Sequence, residues 1–541
     1  MKKNLIYFVG LVVSTASLTG CKWIAEPTPG TTTLAEYFTS GEACVYNVNA
    51  DYVPLCWEYS GNQGGHSYFS EWFFGDIVSD DALKGGEGPE DGPAVLNLDN
   101  FGWDAANGLV LDYYRTNYIG IGRCNLSLAN IPNVECDSIM SESVKNRLLG
   151  EVYFLRAYYY FRLVRMFGAV PLVTAVQYSD WERARTPVDS IYAQIESDLM
   201  RANDLLWKKS ATTGENVGRA TQGAAQAMLI KMNLYRHNYA EAERWGQIFL
   251  QEQAGEYALN ANYADNFTLE HENDMESVFE IQYTEESTSD YTADGMGYGA
   301  SRGTFTTILT RARSGSIPQG PYTGWGWNKP TQNLYDEFEN DDPRRDATIF
   351  LPDPALRDEA DNYLGCEYLN RKTGLYNAAG DGVTYELPHY TRGDLNNKQI
   401  RYADVLLMYA EACAENGNDA AAQNALEEVR ARARSNAADP ATALPQWPNY
   451  SYVVSGVTVD ASSSLINAIR HERRVELAME GHRWFDLVRW GNAMEVMAAY
   501  QNSESLAVHA YMQPMREFQY LFPIPIEELK LNPMLTQNPG Y

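Results

Sequence analysis

The apolar register between Val144 and Met166 constrains this chain more tightly than any other feature. Val144, Leu148, Val152, Leu155, Tyr159, Leu163 and Met166 recur at steps of three and four, which puts them on one face of an α-helix. A stripe that long has to be covered by other elements. Gly168 stands where a C-cap belongs, and Pro171 forbids continuation. A second helix is expected to open at Thr186-Pro187-Val188-Asp189, where threonine can cap, proline fits the first turn and aspartate suits the dipole. Its stripe is Val188, Ile191, Ile195, Leu199, Ala202 and Leu206. A third helix near 107–131 carries Val110, Tyr114, Tyr118, Ile121 and Leu128. Two segments read as helical hairpins: Arg219 to Gln253, turning near His237-Asn238-Tyr239, and Arg401 to Arg434, turning at Glu415-Asn416-Gly417-Asn418. In the second, Ala410, Ala422, Leu426 and Val429 fall on the small and packing positions of tetratricopeptide-like pairs, with generic hairpins as the alternative. The expected fold class is mostly α.

Two long stretches break this rhythm. Asn49 to Asn107 is rich in Gly, Asp and aromatics, and Tyr283 to Pro330 in Gly, Thr, Ser and Tyr. Loops of that length on a rigid scaffold commonly carry binding sites. Sugar rings pack their C–H patches on aromatic faces, while nearby polar groups orient the hydroxyls. Trp72, Phe73, Trp103, Tyr298, Tyr322 and Trp325 are therefore the candidate ligand-binding residues, although any one of them alone is more often core. Trp207, Trp245, Trp484 and Trp490 are expected on helices and are assigned to packing. Asp80 and Asp81, with Glu87, Glu90 and Asp91, form an acidic Gly/Pro loop. Clustered oxygens suit calcium, but the spacing is not that of an EF-hand. A solvated loop is the favoured reading, a sugar-contacting loop the alternative, and no metal or cofactor is assigned.

The N-terminus reads as an export signal. Lys2 and Lys3 precede an apolar run from Leu5 to Val13, far short of the roughly 20 residues that span a bilayer. Leu18-Thr19-Gly20-Cys21 resembles the bacterial lipobox, with Cys21 supplying the thiol for diacylglycerol. One acyl chain, at about 0.8 kcal/mol per buried CH₂, binds marginally, so firm anchoring takes more than one. Residues 1–20 are thus expected to be a signal peptide. Residues 21–33, with Pro27 and Pro29 and no apolar period, are expected to be a flexible tether. The rest, 34–541, is expected to be one ligand-binding domain, with an N-terminal part of about 34–270 and a C-terminal part of about 271–541. The chain has 42 basic and 71 acidic residues, and loss of Lys2 and Lys3 with the leader takes the net charge from −29 to −31. Such a body repels phosphates, which argues against nucleic acid and anionic substrates and suits neutral ligands, while plain solubility accounts for most of the charge. Export permits disulfides among Cys44, Cys56, Cys124, Cys136, Cys366 and Cys413, but spacing does not establish them. Cys413 sits in an apolar helical stretch and is expected to be a small buried residue.

The C-terminal third carries a family resemblance. Arg470-His471-Glu472-Arg473-Arg474-Val475-Glu476-Leu477-Ala478-Met479-Glu480-Gly481-His482-Arg483-Trp484-Phe485-Asp486-Leu487-Val488-Arg489-Trp490-Gly491 resembles the hallmark helix of SusD/RagB lipoproteins. Leu521-Phe522-Pro523-Ile524-Pro525, Leu531-Asn532-Pro533 and Thr536-Gln537-Asn538-Pro539-Gly540-Tyr541 resemble that family's terminus. Phe154-Leu155-Arg156-Ala157-Tyr158-Tyr159-Tyr160-Phe161, with Phe167-Gly168-Ala169-Val170-Pro171-Leu172, matches its upstream helix. Gly324-Trp325-Gly326-Trp327 and Asp342-Pro343-Arg344-Arg345 match its middle. The resemblance implies a mostly helical fold with four tetratricopeptide-like pairs, long loop-rich insertions and a few short strands. It implies a surface-exposed outer-membrane lipoprotein of the Bacteroidetes type, acting as a lid on a SusC-like TonB-dependent barrel. Its ligand would be a glycan, or a peptide in the RagB branch. One departure is visible: surface-exported lipoproteins of these bacteria often carry an acidic cluster after the cysteine, and Lys22-Trp23-Ile24-Ala25-Glu26 has one acid.

Charge crowds the hallmark segment. Glu472, Glu476 and Glu480 repeat every four residues, and the pairs Glu480/Arg483 and Asp486/Arg489 have the spacing to join along a helix. The favoured reading is a scaffold helix whose arginines tie neighbouring elements together. With this many carboxylates, a pair at glycosidase spacing arises by chance. The expected protein is a non-catalytic glycan-binding lipoprotein. The alternatives are peptide capture, a helical glycoside hydrolase, and a structural partner of the barrel with little affinity of its own.

Overall fold

Helices form where the stripes lie, and side-chain caps start several of them. In a computed structural model describing residues 34–60, 67–68, 70–179, 181–284, 303–357, 363–387, 389, 393–449, 463–503 and 505–541, the main helices begin with α1 (Gly41–Tyr52), α2 (Gly108–Asn130) and α3 (Glu142–Phe167). Ser40, Asn107 and Ser141 accept the backbone N–H of Ala43, Leu109 and Val144 and satisfy donors the helices leave open. Gly168 closes α3 as expected, with φ 68° and its N–H on the Val164 carbonyl. The signal peptide, the tether and Tyr298 lie outside the described residues.

Next come α4 (Val188–Leu205) and the two hairpins, α5 (Gln222–Tyr235) with α6 (Tyr239–Glu252), and α7 (Tyr402–Glu415) with α8 (Asp419–Ser435). The start of α4 differs from expectation. Pro187 takes the cap position, because the linker folds back so that Thr186 pairs with Val170 and its hydroxyl accepts the Leu172 N–H. From α2 to α8 each helix packs on the next in an unbroken series. The small residues Ala410 and Ala422, fully buried, let α7 and α8 close together.

The hallmark segment is not one helix. It divides into α9 (Leu465–Glu476), packed on α7 and α8, and α10 (Arg483–Trp490). The break falls where Met479 and Gly481 turn left-handed, at φ 63° and 80°. The Gly481 N–H is spent on buried Asp76, 2.8 Å away, rather than on a helical carbonyl. The chain closes with α11 (Ile526–Leu531) near the C-terminus.

The strands are short. β1 (Ala82–Gly85) pairs antiparallel with β3 (Trp327–Pro330), placing Gly85 opposite Trp327. β2 (Ser277–Ile281) pairs antiparallel with β4 (Asn397–Arg401), placing Ser277 opposite Arg401. The first non-periodic stretch is not loop alone. It holds β1 and a helix over Pro93–Asp99, and it sends Trp57, Phe73, Phe74, Ile77, Leu98 and Trp103 into the main core, which runs through both halves of the chain from Phe38 to Ile524. Trp245 and Trp484 are buried on helices, as assigned, and Trp490 ends α10 with its Nε1 donating to Glu411. Trp207 lies past the end of α4, its ring under the Arg147 guanidinium. All six cysteines named above are free thiols, and Cys413 is buried in α7. Among the described residues no helix is long and apolar enough to cross a membrane.

Candidate ligand-binding site

Of the five aromatic candidates among the described residues, two are partly open, and one turn carries both. Gly320, at φ 87°, begins the turn Gly320-Pro321-Tyr322-Thr323-Gly324-Trp325 that leads into β3. The N–H groups of Gly324, Trp325 and Gly326 donate to the carbonyls of Ala312, Ile308 and Arg311 at 2.8–2.9 Å, which cinches the turn onto the helix Thr306–Thr310 and the residues after it. A Cβ on Gly324 would stand 2.2 Å from the Arg311 carbonyl oxygen, so only glycine permits this approach. Trp327 anchors the far end: its ring is buried and its Nε1 donates to Asp91 at 3.0 Å. Trp325 meets that ring edge-on at 5.5 Å, and Tyr322 lies edge-on to His389 at 6.0 Å. Tyr322 and Trp325 both pack on the core while remaining partly exposed. Arg313, which pairs with exposed Glu87 at 3.0 Å, sets a polar fringe beside the turn. Held on a rigid turn, two aromatic rings with polar neighbours can stack sugar rings and orient hydroxyls.

Three candidates are corrected. Trp103 is 1% exposed, stacks on Phe522 at 5.0 Å and donates its Nε1 to the Tyr541 hydroxyl, so neither ring face is left for a ligand. Phe73 is fully buried, edge-on to Trp72 at 4.2 Å and tilted toward Trp327. Trp72 is 4% exposed, and its Nε1 donates to Thr306 at 3.2 Å. It lines a narrow, partly open pocket of about 60 Å³ beside Lys372, Asn396 and Glu480, which has room for a few waters but not for a sugar. These rings come from a stretch without periodicity that folds inward, which no pattern in that stretch announces. Two rings escaped the sequence reading. Tyr178 and Trp181 are 78% and 71% exposed in the linker before α4. Their signal was two aromatics in a short polar segment off every helical stripe.

The acidic loop is corrected in part: Glu87 and Glu90 are exposed, as a solvated loop requires, whereas Asp80 and Asp81 are buried ion-pair partners. Asp80 meets Arg483 at 2.7 Å and Arg474 at 2.9 Å, and Asp81 meets Arg474 at 2.8 Å. Burial alone would raise the Asp80 carboxyl, but the two guanidiniums hold it down at about 2. Among the described residues no group of three or more His, Cys, Asp or Glu side chains is placed to hold a metal ion.

The hallmark charges tie elements together. Glu476 faces Arg432, Arg401 and Arg344 at 2.6, 3.0 and 3.1 Å, and Glu472 faces Arg344 and Arg430 at 2.5 and 3.0 Å. Glu480 does not pair with Arg483. It takes Arg401 and Lys372, both at 2.7 Å, because the break before α10 turns Arg483 toward Asp80. Asp486 does pair with Arg489, at 2.9 Å. Burial would raise Glu476, yet the surrounding cations hold it below its usual value. Glu472 and Glu476 are fully buried, so neither reaches a substrate. His471 sits between Glu337 and Glu339. Burial disfavours its charge, but the two carboxylates raise it to about 9.

Comparison with known proteins agrees with this architecture. The SusD family model matches residues 275–541, and a model described as starch-binding associating with outer membrane matches residues 94–234. A SusD-like protein of Formosa agariphila is 24% identical over the full length of both chains. A solved laminarin-binding SusD-like protein is 30% identical, with TM-score 0.73, covering 93% of this chain and all of that one. Surface glycan-binding protein A from Bacteroides fluxus is 25% identical, with TM-score 0.75 and the same coverage.

Proposed function

Since the chain belongs to the SusD/RagB family, we propose that it captures neutral glycans by stacking sugar rings on Tyr322 and Trp325, without cleaving them. The observation that carries this reading is the cinched turn, which holds two partly open rings on a closed scaffold. The laminarin-binding relative supports the ligand class. A binding-only role is supported by the hallmark carboxylates, which are buried against cations. The captured glycan is handed to a SusC-like TonB-dependent barrel, and lipid on Cys21 holds the protein to the outer-membrane surface. A net charge of −31 after loss of the leader favours uncharged polysaccharide over anionic ligands. Electrophoresis through gels loaded with laminarin, starch, xylan or mannan tests capture, and chain-length analysis of the same glycans tests cleavage. The reading expects retardation in at least one gel and unchanged chain lengths. Migration unaffected by all four, or steady release of shorter sugars that survives repurification, overturns it.

A further inference from the structure

Trp327, the buried ring that backs Trp325, has a cation on it. Lys84, in β1, carries its Nζ to 5.5 Å from the centre of the Trp327 ring, and its side chain is fully shut off from solvent. The backbone N–H of Lys84 donates to Asp99 at 2.7 Å, which fixes where the side chain departs. The ammonium donates to the carbonyls of Gly85 and Gly88, both at 3.1 Å, and lies 3.7 Å from the Asp91 carboxylate. Oxygens of the acidic Gly/Pro loop thus converge on a cation, and that cation belongs to the chain itself. The loop 85–92 folds over it and onto the indole: a Cβ on Gly92, at φ 71°, would stand 2.8 Å from the Trp327 ring. The loop is also stitched to the turn, since the Gly86 N–H donates to the Gly326 carbonyl at 2.9 Å.

Stability alone does not call for a charge here. Burying an ammonium costs free energy that an apolar side chain of like shape avoids. Asp91 does not depend on Lys84 for partners, because it also accepts the Trp327 Nε1–H and the Glu87 N–H, each at 3.0 Å, and faces Arg313 at 3.8 Å. What the ammonium supplies is direction. It draws two loop carbonyls inward, and its charge is attracted by the negative face of the indole. Trp327 is then held over its ring by Lys84 and at its Nε1 by Asp91, and Trp325 rests edge-on against it at 5.5 Å. A binding ring whose backing can turn loses the fixed geometry that sugar stacking needs.

We propose that Lys84 is a positioning residue for glycan binding, which acts through Trp327 to hold Trp325 at the angle a sugar ring meets. The proposal rests on the glycan-capture reading and deepens it. The test is a double-mutant cycle by calorimetric titration, with laminarihexaose or the hexasaccharide of whichever glycan in the gel panel retards the wild type. Wild type, Lys84→Met, Trp325→Ala and the double variant are compared, each with a thermal melt. Methionine removes the charge and keeps the space filled. Lys84→Met is expected to keep a single cooperative melt and to bind about fivefold more weakly than wild type. In the Trp325→Ala background the same change should alter binding less than about twofold, because the ring it positions is gone. A residue that only stabilised the fold would weaken both backgrounds equally. Asp91→Asn leaves an acceptor for Trp327 but removes the charge facing Lys84. It carries the same expectation and keeps the test decisive where Lys84→Met does not fold. Wild-type affinity in the folded variants, or equal losses in both backgrounds, overturns the positioning role and leaves glycan capture standing. Unchanged binding by Trp325→Ala, or a wild type that binds none of the glycans, overturns the capture reading itself.

Discussion

Trp325 keeps part of its indole open beside Trp327, whereas Trp103 has its face on Phe522 and its Nε1 on Tyr541. Replacing each with alanine should therefore separate binding from stability. Trp103→Ala leaves a core cavity and is expected to cost about 3–5 kcal/mol, read as an early thermal melt. A Trp103→Ala protein that melts with wild type would contradict the buried assignment. From sequence these two residues looked alike, since both sit in glycine-rich stretches without periodicity. What distinguishes them is a partner more than 400 residues away for one and a neighbouring tryptophan for the other. His471 allows a pH test. Its raised pKa means that its contribution to stability is complete below about 6.5 and is lost as pH rises through about 9. His471→Asn should be less stable than wild type at pH 6, and the gap should shrink by pH 9.5 in urea melts. A gap that stays constant would show that the imidazolium between Glu337 and Glu339 contributes nothing.

At the scale of elements, the helices were legible and their charge chemistry only partly so. Stripes, hairpin turns and the Gly168 cap follow from local periodicity, and α2, α3 and both hairpins form where it places them. The break between α9 and α10 was hidden, because Glu480 and Arg483 have helical spacing and the Asp76 carboxylate that captures the Gly481 N–H lies 405 positions earlier. The same long reach took Asp80 and Asp81 out of solvent to Arg474 and Arg483. Arg344 sits among Asp342, Glu472 and Glu476 with no exposed surface, joining the segment before β4 to α9. Removing it leaves buried Asp342 without its cation and takes one partner each from Glu472 and Glu476. Arg344→Met is expected to cost about 3–5 kcal/mol by chemical denaturation. Stability within about 1 kcal/mol of wild type would mean that the network is dispensable.

For the whole molecule, the order of family segments along the chain was the legible part, and it agrees with a family model over 275–541 and a solved relative covering 93% of the chain. The open aromatics were legible only in part: Tyr322 and Trp325 were named as candidates, whereas Tyr178 and Trp181 became visible through their exposure. Anchoring belongs to the same scale. Cys21→Ala is expected to move the protein from the outer-membrane fraction to the soluble fraction, or to leave an unprocessed precursor, in a strain lacking the barrel. Continued partition with outer membranes there would place the anchor elsewhere. The central claim, capture of glycan on the cinched turn, is tested most directly by titration calorimetry of wild type against the Tyr322→Ala/Trp325→Ala variant, using a hexasaccharide and a parallel thermal melt. The account predicts that the variant stays folded, with a single cooperative melt, and binds the hexasaccharide about tenfold or more weakly, a loss of about 1.4 kcal/mol or more. Unchanged affinity in a folded variant would contradict it.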